Sequence, residues 1–443
     1  MKPILLIAAA VLALSSCSDK NDTENKVTKE AEKSVVASMD SRVEEYLLLE
    51  LSMGLHDAAQ VDAYFGPESF QQQAQAEALT LDEIAQRAAT LAQLLSILPE
   101  AGFDEMERQR IRSLQLRLLA LQTRVQLNQG TEIPFDEEAR LLFDAVPPTL
   151  DASHFEEVLE QIDSLLPGDG PLPERVTAFR ERFIIPPERL SAVFEAALEE
   201  CRRRTLAHIE LPAHENFSIE YVSDKPWSGY NWYQGNANSL IQVNTDLPSY
   251  IDAAVSLGCH EGYPGHHSYN ALLEQNLVLD RSWTEFSLYP LFSPQSLIAE
   301  GSANYGISLV FPGDERIEFE REYLFPLAGL DAADADRYYR LAELRSQLDY
   351  AINEAARRYL DGLFSSEQAQ EWLINYALDT PEKAEKRISF FDSYRSYVIN
   401  YNYGKDLVAD WVTADGADSE QRWQRFIHLL SSPMSPSDFE KPE

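Results

Sequence analysis

Three of the chain's eight histidines fall within Cys259-His260-Glu261-Gly262-Tyr263-Pro264-Gly265-His266-His267, and a carboxylate stands beside the first of them. Two imidazoles and an adjacent glutamate are the working parts of a metal-dependent hydrolase. The imidazoles hold a Lewis-acidic ion, and the glutamate takes a proton from the water that the ion acidifies. The usual ligand spacing is four residues, because positions four apart share one face of a helix. Here the fourth residue after His260 is Pro264. Proline has no N–H for the His260 carbonyl and its ring clashes there, so a helix cannot run through undisturbed. Gly265 permits backbone angles closed to other residues. Pro264-Gly265 therefore reads as a two-residue insertion that loops out and brings His266 to the second ligand position. In a straight helix His260 and His266 would stand roughly 120° and about 9 Å apart, too far for one tetrahedral ion, so a kink is required. His267 would lie near the first face but about 10.5 Å along it. It is the alternative second ligand and a candidate substrate contact.

Such a site needs a third protein ligand. Glu300 lies in the helix-like run Ser296–Tyr305, 39 positions after Glu261, which is enough for one helix, a return loop and a second helix. Its small neighbours Ala299, Gly301, Ser302 and Ala303 would let this helix lie close against the histidine helix. Two histidines and a carboxylate suit Zn2+, one per chain, although other divalent ions fit the same donors.

The pattern His260-Glu261-x-x-Pro264-Gly265-His266-His267, followed by Glu300-Gly301-x-Ala303-x-Tyr305, resembles a large bacterial family named only as a domain of unknown function. Its members look like mainly helical, gluzincin-type zinc peptidases. Asp62-Ala63-Tyr64-Phe65-Gly66-Pro67 and Tyr401-Asn402-Tyr403-Gly404-Lys405 match that family too, so the resemblance spans most of the mature chain. Ser302 departs from it, standing where many relatives carry tryptophan. The C-terminal match makes Tyr401 and Arg395 candidates to stabilise an oxyanion or to hold a substrate carboxylate.

The elements that must position these residues can be read in outline. From Ser41 to about Val125 leucines recur at helical spacing, and Asp82–Leu98 is amphipathic,. A long helix runs from Pro187 to Ile209, and further helices cover 314–324, 334–361 and 366–378. Between them Phe217–Val222 and Ser239–Asn244 alternate like strands,. The stretch Gly229–Gln234 between these runs would line a cleft, with Tyr233 and Asn244 as substrate contacts. Ser249 with Asp252 forms a capping-box pattern, and Ile251, Ala254, Val255 and Gly258 give the histidine helix its inward stripe,. The expected fold is mainly α, with a small β-sheet beside the metal helix. His56 and His154 read as structural or surface histidines.

Residues 1–17 have a basic start, a short apolar run and Leu14-Ser15-Ser16-Cys17, which resembles a lipoprotein signal cleaved before a lipidated Cys17,. Residues 18–38 are a polar tether, 39–186 an N-terminal helical region, and 187–443 a metallopeptidase-like catalytic region,. The expected location is the bacterial cell envelope, lipid-anchored and facing the periplasm, and Ser18 favours the outer membrane. Cys201 and Cys259 are the other cysteines. An oxidising compartment would let them pair, and Cys259 itself reads as a small buried packing residue. The net charge of −36 excludes nucleic acid as a partner,. A peptide or small amide is the expected substrate, and Glu261 the general base. The same ligands would serve hydrolysis of a non-peptide bond. A third reading is a non-catalytic periplasmic lipoprotein on a peptidase-like scaffold, which has no use for the intact Glu261.

Overall fold

The structure, a computed structural model, describes residues 39–98, 102–225, 227–246 and 248–439. The expected signal, Cys17 and the tether lie outside the described residues. Helix α1 occupies residues 39–53, and strand β1 (Val61–Tyr64) follows. Helices α2 (Glu68–Glu77), α3 (Leu81–Ser96) and α4 (Glu105–Asn128) come next. Thr80 with Glu83, and Asp104 with Glu107, form reciprocal capping boxes that start α3 and α4,. The apolar stripes of these helices, Ile84, Ala88, Leu91 and Leu95 on α3 and Leu114, Leu118, Leu121 and Val125 on α4, bury against Leu47, Leu48 and Leu51 of α1.

Helices α5 (Phe135–Phe143), α6 (Ala152–Leu165), α7 (Leu172–Arg180) and α8 (Leu190–Thr205) belong to a second, larger core that continues to Met434. The two cores part near α4.

A three-stranded sheet of β2 (Asn216–Val222), β3 (Gly229–Tyr233) and β4 (Asn238–Asn244) has the order β2-β4-β3, with β2 parallel and β3 antiparallel to β4. Ser239, Ile241 and Val243 of β4 are buried in alternation, as the period of two requires,. Then come α9 (Ile251–Glu261), α10 (His266–Leu273), β5 (Leu288–Pro290), which pairs with β1, and α11 (Pro294–Val310). The chain ends in α12 (Glu315–Phe319), α13 (Phe325–Ala328), α14 (Ala335–Ser346), α15 (Tyr350–Leu360), α16 (Ser366–Tyr376), α17 (Pro381–Tyr394), α18 (Ile399–Thr413) and α19 (Ser419–Leu430). The fold is mainly α with a small sheet, as expected. No helix of the described residues is long and apolar enough to cross a membrane.

Two local expectations fail for physical reasons. The run 334–361 is two helices, because the N–H groups of Gln347, Leu348 and Asp349 reach back three residues and tighten the turn,. The Ser249/Asp252 capping box does not form. Tyr250 is the N-cap, and Asp252 Oδ1 instead accepts the Tyr338 hydroxyl at 2.5 Å.

One buried carboxylate makes stability pH-dependent. Glu50 of α1 is buried, and that burial pushes its pKa from 4.5 up to about 7, although Gln60 donates to it at 2.8 Å. The unfolded chain gives up this proton near the ordinary value and the folded chain only near 7. The folded state therefore loses stability as pH rises between those values, by about 3 kcal/mol once the rise is complete,. Glu50→Gln is expected to remove that loss. Thermal melts should show the variant gaining on the parent between pH 5 and pH 8.

Candidate metal centre

The helix break required by Pro264 is present. α9 stops at Glu261 and α10 starts at His266. Across the break Gly265 N–H donates to the Cys259 carbonyl at 3.1 Å, and Gly262 N–H to that of Gly258 at 2.9 Å. A Cβ on Gly265 would stand 1.8 Å from the His260 carbonyl oxygen, so glycine alone fits. The loop is latched by Glu215, which accepts from Tyr263, from His267 Nε2 at 3.1 Å and from Arg202 of α8. A Cys201–Cys259 disulfide joins α8 to α9 one residue before His260. Cys259 is thus a cross-link as well as a packing residue. Gly265→Ala is expected to cost about 3 kcal/mol or more in stability and about 10-fold or more in metal affinity. Melting curves and metal titration would check it.

With the loop folded this way, His266 Nε2 lies 3.1 Å from His260 Nε2. Glu300 of α11 completes the group, Oε2 at 3.2 Å from His260 Nε2 and Oε1 at 3.6 Å from His266 Nε2. One donor atom from each residue lies within 4.8 Å of the others. The small residues beside Glu300 serve two contacts. A Cβ on Gly301 would stand 2.4 Å from the Gly404 carbonyl oxygen, so these glycines let α18 cross α11 closely. A Cβ on Gly306 would meet Pro264 Cγ at 2.6 Å, so this glycine makes room for the loop.

Hydrogen bonding assigns the protons. Asn304 Nδ2 donates to the Tyr401 carbonyl at 2.9 Å, which turns Asn304 Oδ1 toward His260 Nδ1 at 3.0 Å. His260 Nδ1 must then carry the hydrogen, leaving a lone pair on Nε2. Tyr397 donates to Glu300 Oε1 at 2.8 Å, while the buried Glu300 Oε2 faces His260 Nε2 at 3.2 Å. The Nε2 atoms of two imidazoles and a carboxylate thus converge on one point. A cation satisfies all three, with Asn304 and Tyr397 fixing two of the ligands from behind.

In the absence of an ion, the same carboxylates favour a positive charge at this point in the form of a proton. Burial pushes the His260 imidazolium down, but Glu261 and Glu300 outweigh it and hold it up at about 9. Burial pushes Glu300 up, yet the two histidines hold it well below the usual carboxylate range. Glu261 is buried and raised chiefly by that burial. Its Oε1 lies 3.0 Å from where a Cβ on Gly229 would be, so β3 gives the carboxylate room only because residue 229 is glycine. Tyr401 is 40% exposed, and the charges of Glu300 and Glu261 add to local desolvation in keeping its hydroxyl protonated. That hydroxyl makes no hydrogen bond to any described residue.

β3 is an edge strand. Asn244 N–H donates to the Ser228 carbonyl and Gln234 N–H to that of Asn238, both at 2.9 Å. By antiparallel alternation, the peptide groups of Gly229, Asn231 and Tyr233 turn away from β4.

Other candidates are engaged elsewhere. Arg395 Nε donates to the buried Glu138 at 2.6 Å, and Ser396 donates to the same carboxylate. This pairing holds Arg395 at φ 51° in the turn that separates α17 from α18. Through its Nε the guanidinium is therefore a brace for the segment bearing Tyr397 and Tyr401. Tyr233 is buried, its hydroxyl bonded to Glu274. Asn244 holds the β3–β4 end through the carbonyls of Lys225 and Trp227, at 3.0 and 2.8 Å. His267 is fully buried between Ser239 and Glu215. None of these three presents a free side chain to a substrate. Asn304, Tyr397, Glu215 and Asp62 escaped the sequence reading as site residues. Asn304 alone had a signal of its own, four residues after Glu300 on the same helix face.

Asp62 is the extra residue of a bulge in the β1–β5 pairing, where Val61 pairs with Pro290 and Ala63 with Tyr289,. Its Oδ1 accepts from the Tyr230 hydroxyl of β3 at 3.2 Å. Burial pushes its carboxyl up to about 6, and the charges of His266, Glu300 and Glu261 act on it.

No protein-family model and no curated protein sequence matches the chain. Several solved structures are similar to it, three of them as follows. A chain from Colwellia psychrerythraea, described as a candidate lipoprotein, is 15% identical with a TM-score of 0.48, over 82% of this chain and 71% of that one. A candidate lipoprotein of unknown function from Shewanella oneidensis is 12% identical with a TM-score of 0.42, over 84% and 74%. An M32 carboxypeptidase from Deinococcus radiodurans R1 is 12% identical with a TM-score of 0.42, over 89% and 90%.

Proposed function

We propose that this chain is a zinc-dependent hydrolase of peptide or amide bonds. The observation that carries the reading is the convergence of His260 Nε2, His266 Nε2 and the Glu300 carboxylate, with the Glu261 carboxylate close enough for their charges to act on it. A structural metal site has no need of that carboxylate. When bound, the ion would supply Lewis acidity, acidifying a water and polarising a carbonyl.

The chain's own groups do the rest. Glu261 takes the proton of the attacking water on a carboxylate oxygen and passes it to the leaving amine. Its burial supports both halves of the task, since a carboxylate raised toward neutrality both accepts and returns a proton. The free Tyr401 hydroxyl, kept protonated, donates to the oxyanion that develops at the carbonyl. The outward peptide groups of Gly229 and Asn231 can pair with an extended substrate backbone, which aligns one bond with Glu261. Lipidation at Cys17 would tether the enzyme to the envelope through the polar stretch 18–38.

Zinc-loaded protein should cleave members of a mixed peptide library, read by mass spectrometry, and a chelator should stop it. A zinc-loaded protein that leaves every peptide intact would overturn the reading.

A further inference from the structure

Asp62 is a carboxylate that the hydrolytic steps do not use. The bulge in β1 turns it to the Tyr230 hydroxyl of β3, which orients its Oδ1, and the neighbouring Gly229 borders the Glu261 carboxylate. Tyr230 is itself held, its ring stacked on Trp227 with centroids 5.5 Å apart. Asp62 is partly exposed and forms no ion pair with any described residue. The charges that act most on Asp62, Glu261 and Glu300 are those of His260, His266 and one another, with no lysine or arginine among them. The arginine that sequence places nearest, Arg395, is paired with Glu138.

A divalent ion held by two neutral histidines is balanced by Glu300 and Glu261 together. Asp62 is then one negative charge over, and the protein supplies no counter-charge for it. Its charge also acts on the hydroxyls of Tyr394 and Tyr401. Neutral tyrosines beside a carboxylate make a surface that accepts an ammonium and repels a carboxylate.

We propose that Asp62 is a specificity residue that pairs with a primary ammonium group of the substrate, so that the site selects peptides presenting a free amine close to the bond cleaved. The α-amino terminus and a lysine side chain share this chemistry. The inference rests on the hydrolase reading for the identity of the substrate, but its test does not need turnover.

Three peptides that differ only in their amines decide it: lysine-free with a free N-terminus, lysine-free and N-acetylated, and N-acetylated with one residue replaced by lysine. Their binding is measured by calorimetry to zinc-loaded Tyr401→Phe protein, which keeps every charge of the site, with and without Asp62→Asn. At least one amine-bearing peptide should bind about 10-fold or more tighter than the acetylated lysine-free one, and which of the two does so identifies the source of the amine. With Asp62→Asn, which keeps the side-chain volume, the ratio should fall to within about two-fold. Equal binding of all three peptides to the protein carrying Asp62 would overturn the proposal, whether or not the variant folds. A ratio that survives Asp62→Asn in a variant with a parent-like melting curve would overturn it too. Turnover by the unmutated protein is read separately, so failure of the hydrolase reading is distinguishable from failure of this one.

Discussion

Glu261→Gln is expected to keep its metal and to lose about 100-fold to 10,000-fold in kcat. The substitution preserves shape at a buried position packed against Gly229, and it leaves the Glu261 backbone carbonyl free to accept from Asn231 at 2.6 Å. His260, His266, Glu300 and their partners Asn304 and Tyr397 are untouched. What disappears is the one group at the site placed to move a proton between water and leaving amine. KM should change little, because Glu261 acts only as the bond breaks. Kinetics beside metal content would check it. Full turnover in a metal-loaded variant would mean that another group is the base.

His260→Ala is expected to lose both metal and hydrolysis. Removing an outer-shell partner of a metal ligand costs about 10-fold to 100-fold in affinity, and removing the ligand itself should cost at least about 100-fold. The loss does not stop there. Asn304 Oδ1 would lose its donor, and the buried Glu300 would keep only His266 and Tyr397 as partners. Zinc titration and peptide cleavage would check the variant, and Tyr397→Phe offers a milder comparison that removes one hydrogen bond from Glu300 and leaves every ligand in place. A variant that bound zinc like the parent would remove His260 from the ligand set.

The ligand group was legible because chemistry and backbone constrain it together. Only certain residue types hold such an ion, and Pro264-Gly265 could reach a single site from His260 only by breaking the helix. The break, the Gly265 contact with the His260 carbonyl and the choice of His266 over His267 for the group all follow from that one constraint. The helices were legible where caps and stripes coincide, as at Thr80 and Asp104.

What stayed hidden was where polar side chains aim, since that is decided by carboxylates distant in sequence. Arg395 faces Glu138, Tyr233 faces Glu274 and His267 faces Glu215. No local pattern announces such a pairing. Asp62 was quoted within a motif but given no task, because its aim depends on a bulge that exists only once β1 meets β5. The crossing of α11 and α18 at Gly301 and Gly404 was equally out of reach, because small residues announce close packing without naming the partner.

The most direct test is the metal content of the unmutated protein, purified without chelator or histidine tag and measured by elemental analysis. About one zinc per chain is the expected result for two histidines and one carboxylate with a position left for water. Protein that contains no zinc, and still binds none when soaked in it, would contradict the metal centre and the hydrolysis built on it.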